Sequence, residues 1–148
     1  MPAPRDTIVH RWFEEVWNKG RASAIDEMLA EDAMVYGLAE AGVDVRGPAG
    51  FKPFHEKLRG AFPDIHVTVE DTIEQGDLIA SRWTVRMTHT GDDLGVQATG
   101  RRVTATGMTI ARVRDGKIVE GWNNWDTLAL MQQIGAFHPT VALLDAPA

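Results

Sequence analysis

Apolar and polar residues alternate along the second half of the chain with the period of β-strands. From Ile65 onward, apolar side chains recur at every second position over several long stretches, which is the spacing of side chains on one face of a strand. The Asp115-Gly116 pair marks a tight turn between the last two stretches. The predicted strands span residues 65–69, 78–89, 102–114 and 117–125.

The first half of the chain has helical periodicity instead. Ile8, Trp12 and Val16 recur at helical spacing within a predicted helix of about 6–18, which Asp6 or Thr7 would cap. Pro53 lies inside another helical pattern, so that helix is expected to begin late or to bend. The remaining predicted elements are helices at 22–29 and 48–61, a strand at 33–38, and a loop or short hairpin at 40–44.

Helices followed by a meander of strands predict an α+β fold in which the helices cover one face of the sheet. We expect a strongly curved, mostly antiparallel sheet whose concave face, closed by the helices, surrounds an apolar pocket. The length of 148 residues suits one domain. We expect its core at about 6–135 and a C-terminal tail at 136–148.

Strand alternation also predicts which side chains face the pocket. On the last strand it places Trp122, Asn124 and Asp126 on one face, with Asn123 and Trp125 on the other. A slip of one residue would reverse every such assignment. The residues predicted to line the pocket from consecutive strands are Trp83, Met87, Met108, Ile110 and Trp122.

Composition narrows the function classes. The net charge of −6 argues against nucleic acid and anionic membranes as partners. The absence of cysteine excludes disulfides and thiolate metal sites, and the five histidines lack metal-ligand spacing. We therefore expect no metal site. No apolar run approaches the length of a membrane span, and the first residues lack a signal core, so we expect a cytoplasmic protein.

The C-terminal third carries a recognisable motif. Residues 116–122 read GKIVEGW, Asp126 follows, and residues 132–135 read QQIG. Residues 46–48 (Arg-Gly-Pro) and 61–64 (Ala-Phe-Pro-Asp) agree with the same pattern. From about residue 11 to 135 the chain resembles the SnoaL-like polyketide cyclase (ester cyclase) family of the NTF2-like superfamily. The resemblance implies a cone-shaped α+β fold around an apolar pocket.

The resemblance also implies roles for individual residues. The Asp matching Asp126 acts as the acid or base that moves a proton at an activated carbon, without a metal or cofactor. His89 matches a family histidine and would orient a substrate carbonyl or share a proton with Asp126. Many members carry His where this chain has Gly121. From the residues themselves, Asp126 is equally suited to cap the following helix, and His89 to anchor a loop.

Two further candidates have an open interpretation. His55 lies on the apolar face of a predicted helix, as a satisfied core residue or as a side chain that looks into the pocket. Tyr36 offers a hydroxyl for an oxyanion or simply packs in the core. The complete set of substrate-binding candidates is Trp122, Asn124, Trp83, Met87, Met108, Ile110, Tyr36 and His55.

These observations predict a cofactor-free enzyme of the cyclase or isomerase type. Asp126 would transfer protons in an intramolecular aldol-type reaction of a small apolar or aromatic carbonyl compound. We expect a homodimer formed through the outer, convex face of the sheet. One alternative is a non-catalytic module that binds an apolar small molecule. Another is an epoxide-hydrolase-like enzyme. Its residue set would be unusual, because no predicted strand has the Arg-x-Asp spacing of limonene-epoxide-hydrolase-like enzymes.

Overall fold

The computed structural model describes residues 7–38 and 43–137. Asp6, most of the loop expected at 40–44 and most of the expected tail lie outside these ranges. The helical segments are α1 (Ile8–Trp12), a π-helical segment (Phe13–Asn18), α2 (Ala22–Met28), α3 (Gly47–Ala61) and α4 (Thr127–Gln133). The strands are β1 (Leu29–Tyr36), β2 (Val45–Arg46), β3 (His66–Gln75), β4 (Leu78–Thr88), β5 (Arg102–Arg114) and β6 (Lys117–Trp125).

The predicted first helix is α-helical only at its start. Thr7 caps it, with its Oγ1 accepting a hydrogen bond from the His10 backbone N–H at 3.3 Å. The helix then widens into the π-helical segment, and two side chains of α3 satisfy carbonyls near its end. His55 Nε2 donates to the Val16 carbonyl at 2.7 Å, and Arg59 Nη1 donates to the Trp17 carbonyl at 3.1 Å. The π-helical segment is therefore held against α3.

Helix α3 begins at Gly47 and so does not start late, despite Pro53. Gly47 has a φ of +63°, and a Cβ at this position would overlap the Glu31 carbonyl, so only glycine fits the close approach. Pro48 occupies the first turn, where its missing N–H has no helical partner to lose. These two residues define where the helix starts.

The sheet has the order β2-β1-β6-β5-β4-β3. Every neighbouring pair is antiparallel except β1 and β6, which are parallel. The helices pack on one face of the sheet, and the buried apolar residues of both layers form one core. The predicted α+β architecture with a mostly antiparallel sheet is confirmed. Strand β1 begins at Leu29, four residues earlier than predicted.

The face assignment was correct for β4 and wrong by one residue for β5 and β6. Trp83 pairs with Gly107, and Gly107 pairs with Trp125. Directly paired residues share a face of the sheet, so Gly107, Thr109 and Ala111 face the helices together with Trp83. Met108 and Ile110 face outward and are 61% and 43% exposed. The inner face accepts small side chains on β5 because Trp83 and Trp125 occupy the space above Gly107.

The convex face carries ion pairs between strand arginines and neighbouring carboxylates. Arg82 pairs with Asp71 at 2.6 Å. Arg112 pairs with Asp77 at 2.9 Å and with Glu120 at 3.0 Å. Among the residues described, no helix is both long and apolar enough to span a membrane.

Candidate functional site

A cavity of about 90 Å³ lies between the helices and the concave face of the sheet. Apolar side chains dominate its wall, and among the described residues that line it none is Asp, Glu, His, Lys or Arg. The aromatic residues of the wall are Trp12, Phe13, Trp17, Phe51, Phe54, Trp83 and Trp125. A charged group placed against this wall would lose hydration without gaining a counter-charge from the described lining residues.

The helical wall of the cavity is a cluster of aromatic rings. Trp12 meets Phe51 edge-on with ring centroids 5.0 Å apart, and Trp17 meets Phe54 at 6.0 Å and 86°. Phe51 and Phe54 also contact each other at 5.8 Å. Edge-to-face pairs of this kind add to the stability that burial of the rings provides.

Polar groups on the sheet side of the cavity form one chain of hydrogen bonds. Trp83 Nε1 donates to Thr109 Oγ1 at 3.0 Å. Thr109 Oγ1 donates to Asn123 Oδ1 at 2.8 Å, and Asn123 Nδ2 donates to the Tyr36 carbonyl at 3.0 Å. The chain thus crosses β4, β5, β6 and the end of β1. Each polar side chain in it has a partner, as a buried polar group requires.

A second indole extends the link between β6 and β1. Trp125 Nε1 donates to the Leu38 carbonyl at 2.9 Å, just beyond the end of β1. Together with the bond from Asn123 to the Tyr36 carbonyl, this contact holds the chain after β1 against β6. Residues of the last strand therefore shape one wall of the cavity through their side chains as well as their backbone.

The predicted pocket residues separate into two groups. Trp83 and Met87 line the cavity. Met108, Ile110, Trp122, Asn124 and Tyr36 do not, because they lie on the other face of their strands. Trp122 instead stacks on Tyr36 with centroids 6.0 Å apart, and Arg112 Cζ lies 5.9 Å from the centre of the Trp122 ring. The predicted placement of these five residues in the pocket was wrong.

Asp126 is exposed and does not line the cavity, so the expectation that it faces the pocket was wrong. Strand β6 ends at Trp125, and Asp126 is the N-cap of α4. Its Oδ1 accepts a hydrogen bond from the Ala129 backbone N–H at 2.9 Å. The capping interpretation of Asp126 is confirmed, while its catalytic role stays a prediction.

His89 is fully buried but does not line the cavity. Its ring packs on Phe62 at 5.4 Å. Its Nδ1 accepts from the Thr99 backbone N–H at 3.2 Å and lies 3.0 Å from Thr99 Oγ1. Nε2 has no hydrogen-bond partner among the described residues. In this position His89 anchors the loop between β4 and β5.

His55 is a satisfied core residue. It is buried, it is absent from the wall of the cavity, and its ring packs on Trp17 at 5.0 Å. Burial lowers the pKa of His55 below the ordinary value. The neutral ring therefore donates to the Val16 carbonyl at neutral pH.

Thr109, Asn123 and Trp125 line the cavity but were not predicted to do so. The signal that identifies them is a run of small residues on β5. Val103, Ala105, Gly107, Thr109 and Ala111 alternate along that strand. Small side chains opposite large aromatic ones leave room for those rings and for a cavity, whereas the larger Met108 and Ile110 suggested the wrong face.

Gly121 leaves space in the wall of the cavity. A Cβ built at this position would meet only Val35 Cγ1, at 3.8 Å, which is an ordinary contact. The cavity wall therefore has open volume at Gly121. Among the described residues, no cluster of three or more His, Asp or Glu side chains could hold a metal ion.

The sequence model of SnoaL-like polyketide cyclases matches residues 7–134. The chain belongs to this family. The match includes every helix and strand described above, and with it the whole wall of the cavity.

Individual relatives agree with this assignment. The chain is 27% identical over 139 residues to the aklanonic acid methyl ester cyclase DauD of Streptomyces sp. (strain C5), which covers 93% of this chain and 86% of DauD. It is 28% identical over 131 residues to the aklanonic acid methyl ester cyclase DnrD of Streptomyces peucetius. That alignment covers 88% of this chain and 90% of DnrD. The crystal structure of wild-type IdmH from Streptomyces antibioticus matches with a TM-score of 0.76 and 32% identity, covering 90% of this chain and 99% of IdmH.

Proposed function

We propose that the chain is a cofactor-free cyclase that closes a ring in a small apolar or aromatic carbonyl compound of the polyketide type. The observation that carries the proposal is the cavity in this member of the SnoaL-like family. Aromatic rings line the cavity, and neutral hydrogen-bonded side chains lie along its sheet side. Two relatives that align with nearly the whole chain are named as cyclases of aklanonic acid methyl ester. Esters of this kind are the first substrates to test.

The reaction would be an intramolecular aldol addition. A base removes the proton from a carbon next to a carbonyl group, and the resulting enolate carbon forms a bond to a second carbonyl carbon of the same molecule. The oxygen of that second carbonyl then takes up a proton, so no atoms are lost and no oxidant is needed. An apolar cavity assists by holding the two ends of the substrate in contact.

Asp126 is the proposed acid or base. It directly follows Trp125, whose ring is part of the cavity wall, and only its Oδ1 is engaged in capping α4 within the described part of the chain. A substrate that extends out of the cavity past Trp125 would present its acidic carbon to the other oxygen. His89 is proposed to support the reaction indirectly, by fixing the loop after β4.

The test is Asp126→Asn. Asparagine caps a helix about as well as aspartate does, so stability should change by less than about 0.5 kcal/mol. It cannot take up a proton near neutral pH, so turnover should fall by about 10²–10⁴-fold. Unchanged turnover would remove Asp126 from the mechanism, whereas a large drop in melting temperature would mark it as structural.

A binding function without catalysis is the second candidate. It is favoured by the absence of an ionisable side chain among the described residues of the cavity wall. If wild type and Asp126→Asn bind apolar ligands alike, and neither converts ester or acidic ketone substrates, the binding function replaces the cyclase proposal.

We also propose that two copies associate through their convex faces. Met108 and Ile110 leave apolar surface on this face, while the acidic and basic side chains beside them are largely paired with each other. Sedimentation velocity should show a dimer that Met108→Asp dissociates. Leu128→Asp, a change at an exposed position of α4, is the matched control. Two monomeric species with identical sedimentation would contradict the proposal.

A further inference from the structure

We propose that Thr109 and Asn123 together recognise a hydroxyl group of the ligand, so that the cavity selects phenols and enols over hydrocarbons of the same size. This inference rests on the proposed function, because it takes the cavity as the ligand site. It names the two side chains that determine which part of the ligand faces the sheet.

The direction of the hydrogen-bond chain is determined at both ends. The Trp83 indole N–H can only donate, and the Tyr36 backbone carbonyl can only accept. The Asn123 amide must therefore turn its Nδ2 toward Tyr36 and its Oδ1 toward Thr109. The Thr109 hydroxyl, which already accepts from Trp83, must then donate its hydrogen to Asn123 Oδ1.

Within residues 7–38 and 43–137, this arrangement leaves one donor and one acceptor for a ligand. Thr109 Oγ1 has two lone pairs, and Trp83 uses only one of them. Asn123 Nδ2 carries two hydrogens, and the Tyr36 carbonyl takes only one. Both side chains line the cavity.

A hydroxyl group matches this pair because it both donates and accepts. It can donate to Thr109 Oγ1 and accept from Asn123 Nδ2 at the same time. A ketone can use only the Asn123 donor, and a methyl group can use neither. On the sheet side of the described wall, the indole hydrogens of Trp83 and Trp125 already bind Thr109 and the Leu38 carbonyl.

A charged ligand does not suit the same site. No described residue of the wall carries a positive charge, so an anion would lose its hydration without a counter-charge. The favoured ligand class is therefore a neutral phenol, or a carbonyl compound in its enol form.

Phenol and toluene provide the test, because they have nearly the same size and differ in the hydroxyl group. Dissociation constants are measured for both by NMR titration of the backbone amides of β5 and β6. The variant is Thr109→Val, which keeps the shape of the side chain and removes the hydroxyl. The matched control is Thr106→Val, the same change at an exposed position on the opposite face of β5.

Wild type should bind phenol more tightly than toluene. Thr109→Val should weaken phenol binding about threefold to tenfold, the usual effect of losing one neutral hydrogen bond, and leave toluene binding unchanged. Thr106→Val should behave as wild type. Equal loss of phenol and toluene, or no loss of either, would overturn the recognition role while leaving the cavity as the ligand site. If neither compound binds wild type, both this inference and the proposed ligand site fail.

A measurement on wild type covers the case in which Thr109→Val does not fold. The two Nδ2 hydrogens of Asn123 give separate NMR signals, and one of them is bonded to the Tyr36 carbonyl. Phenol should shift the signal of the other hydrogen downfield, and toluene should not. Identical shifts with both compounds would overturn the proposal.

Discussion

Trp83 and Trp122 occupy opposite faces of the same sheet and have different surroundings. Trp83 is 7% exposed, contacts Phe13 and Trp125, and donates its indole hydrogen into the cavity wall. Trp122 is half-buried between Tyr36 and Arg112 on the convex face. The concave face combines aromatic rings with neutral hydrogen bonds, while the convex face combines apolar groups with ion pairs. The position of a tryptophan in a strand therefore does not show by itself which face carries the site.

The largest expected difference between the faces is in stability. Trp83→Ala should lower the free energy of unfolding by about 3–5 kcal/mol, because it removes a buried ring and leaves a void. Trp122→Ala should cost about 1 kcal/mol, the middle of the range for single substitutions. Denaturant unfolding of both variants measures the difference. Equal costs would contradict the assignment of the two faces.

The comparison also explains why the bounds of β5 and β6 were predictable and the buried faces of these two strands were not. The bounds of β5 and β6 agree with the prediction because each strand has long alternation and the Asp115-Gly116 turn separates them. Both turn residues have positive φ. Alternation defines a period of two but does not define which phase is buried. On β5 both phases contain apolar residues, so Met108 and Ile110 outweighed Ala105 and Ala111. The pairing of Trp83 with Gly107 shows which face of β5 is buried. Strand pairing joins residues that are distant in the sequence, so the pattern of one strand does not contain it.

Two other features depended on contacts that sequence patterns do not contain. The π-helical segment is held by His55 and Arg59, which lie about 40 residues further along the chain. The alternation of β6, extended one residue past the end of the strand, predicts that Asp126 faces the pocket. The strand ends at Trp125, and the carboxylate turns to the first free N–H groups of α4.

Two glycines of the concave face should respond differently to the same substitution. A Cβ at Gly107 would overlap Trp83 and Trp125, so Gly107→Ala should cost about 1–3 kcal/mol through overpacking. Gly121→Ala meets only Val35, and should leave stability unchanged or raise it by up to about 1 kcal/mol. Thermal unfolding distinguishes the two outcomes. A destabilising Gly121→Ala would show that the wall of the cavity has no spare volume at β6.

His55, in the helical layer over the concave face, should make the unfolding free energy depend on pH. We expect this effect to be smaller than those of the substitutions above. Burial lowers the pKa of His55 from the ordinary 6.5, so above that pH the ring is neutral in the folded and unfolded states alike. As the pH falls below 6.5, the unfolded chain takes up a proton first, and stability decreases by at most about 1.4 kcal/mol per pH unit. The decrease ends when the pH passes the lowered pKa of the folded state.

The substitution that isolates this effect is His55→Gln, which keeps a donor for the Val16 carbonyl and does not titrate. At pH values below 6.5, the unfolding free energy of wild type should decrease relative to that of His55→Gln. His66→Gln is the control, since His66 is exposed on β3. The same pH dependence for all three proteins would refute the contribution of His55.

The most direct test of the ligand site uses the five tryptophan indole N–H signals as reporters. Phenol is added to the wild-type protein, and the signals are followed by NMR. The signals of Trp83 and Trp125, which line the cavity, should shift with ligand concentration, while the signal of Trp122 on the convex face should not. A shift of Trp122 with no change at Trp83 and Trp125 would place the ligand on the opposite face of the sheet and contradict a ligand site in the cavity.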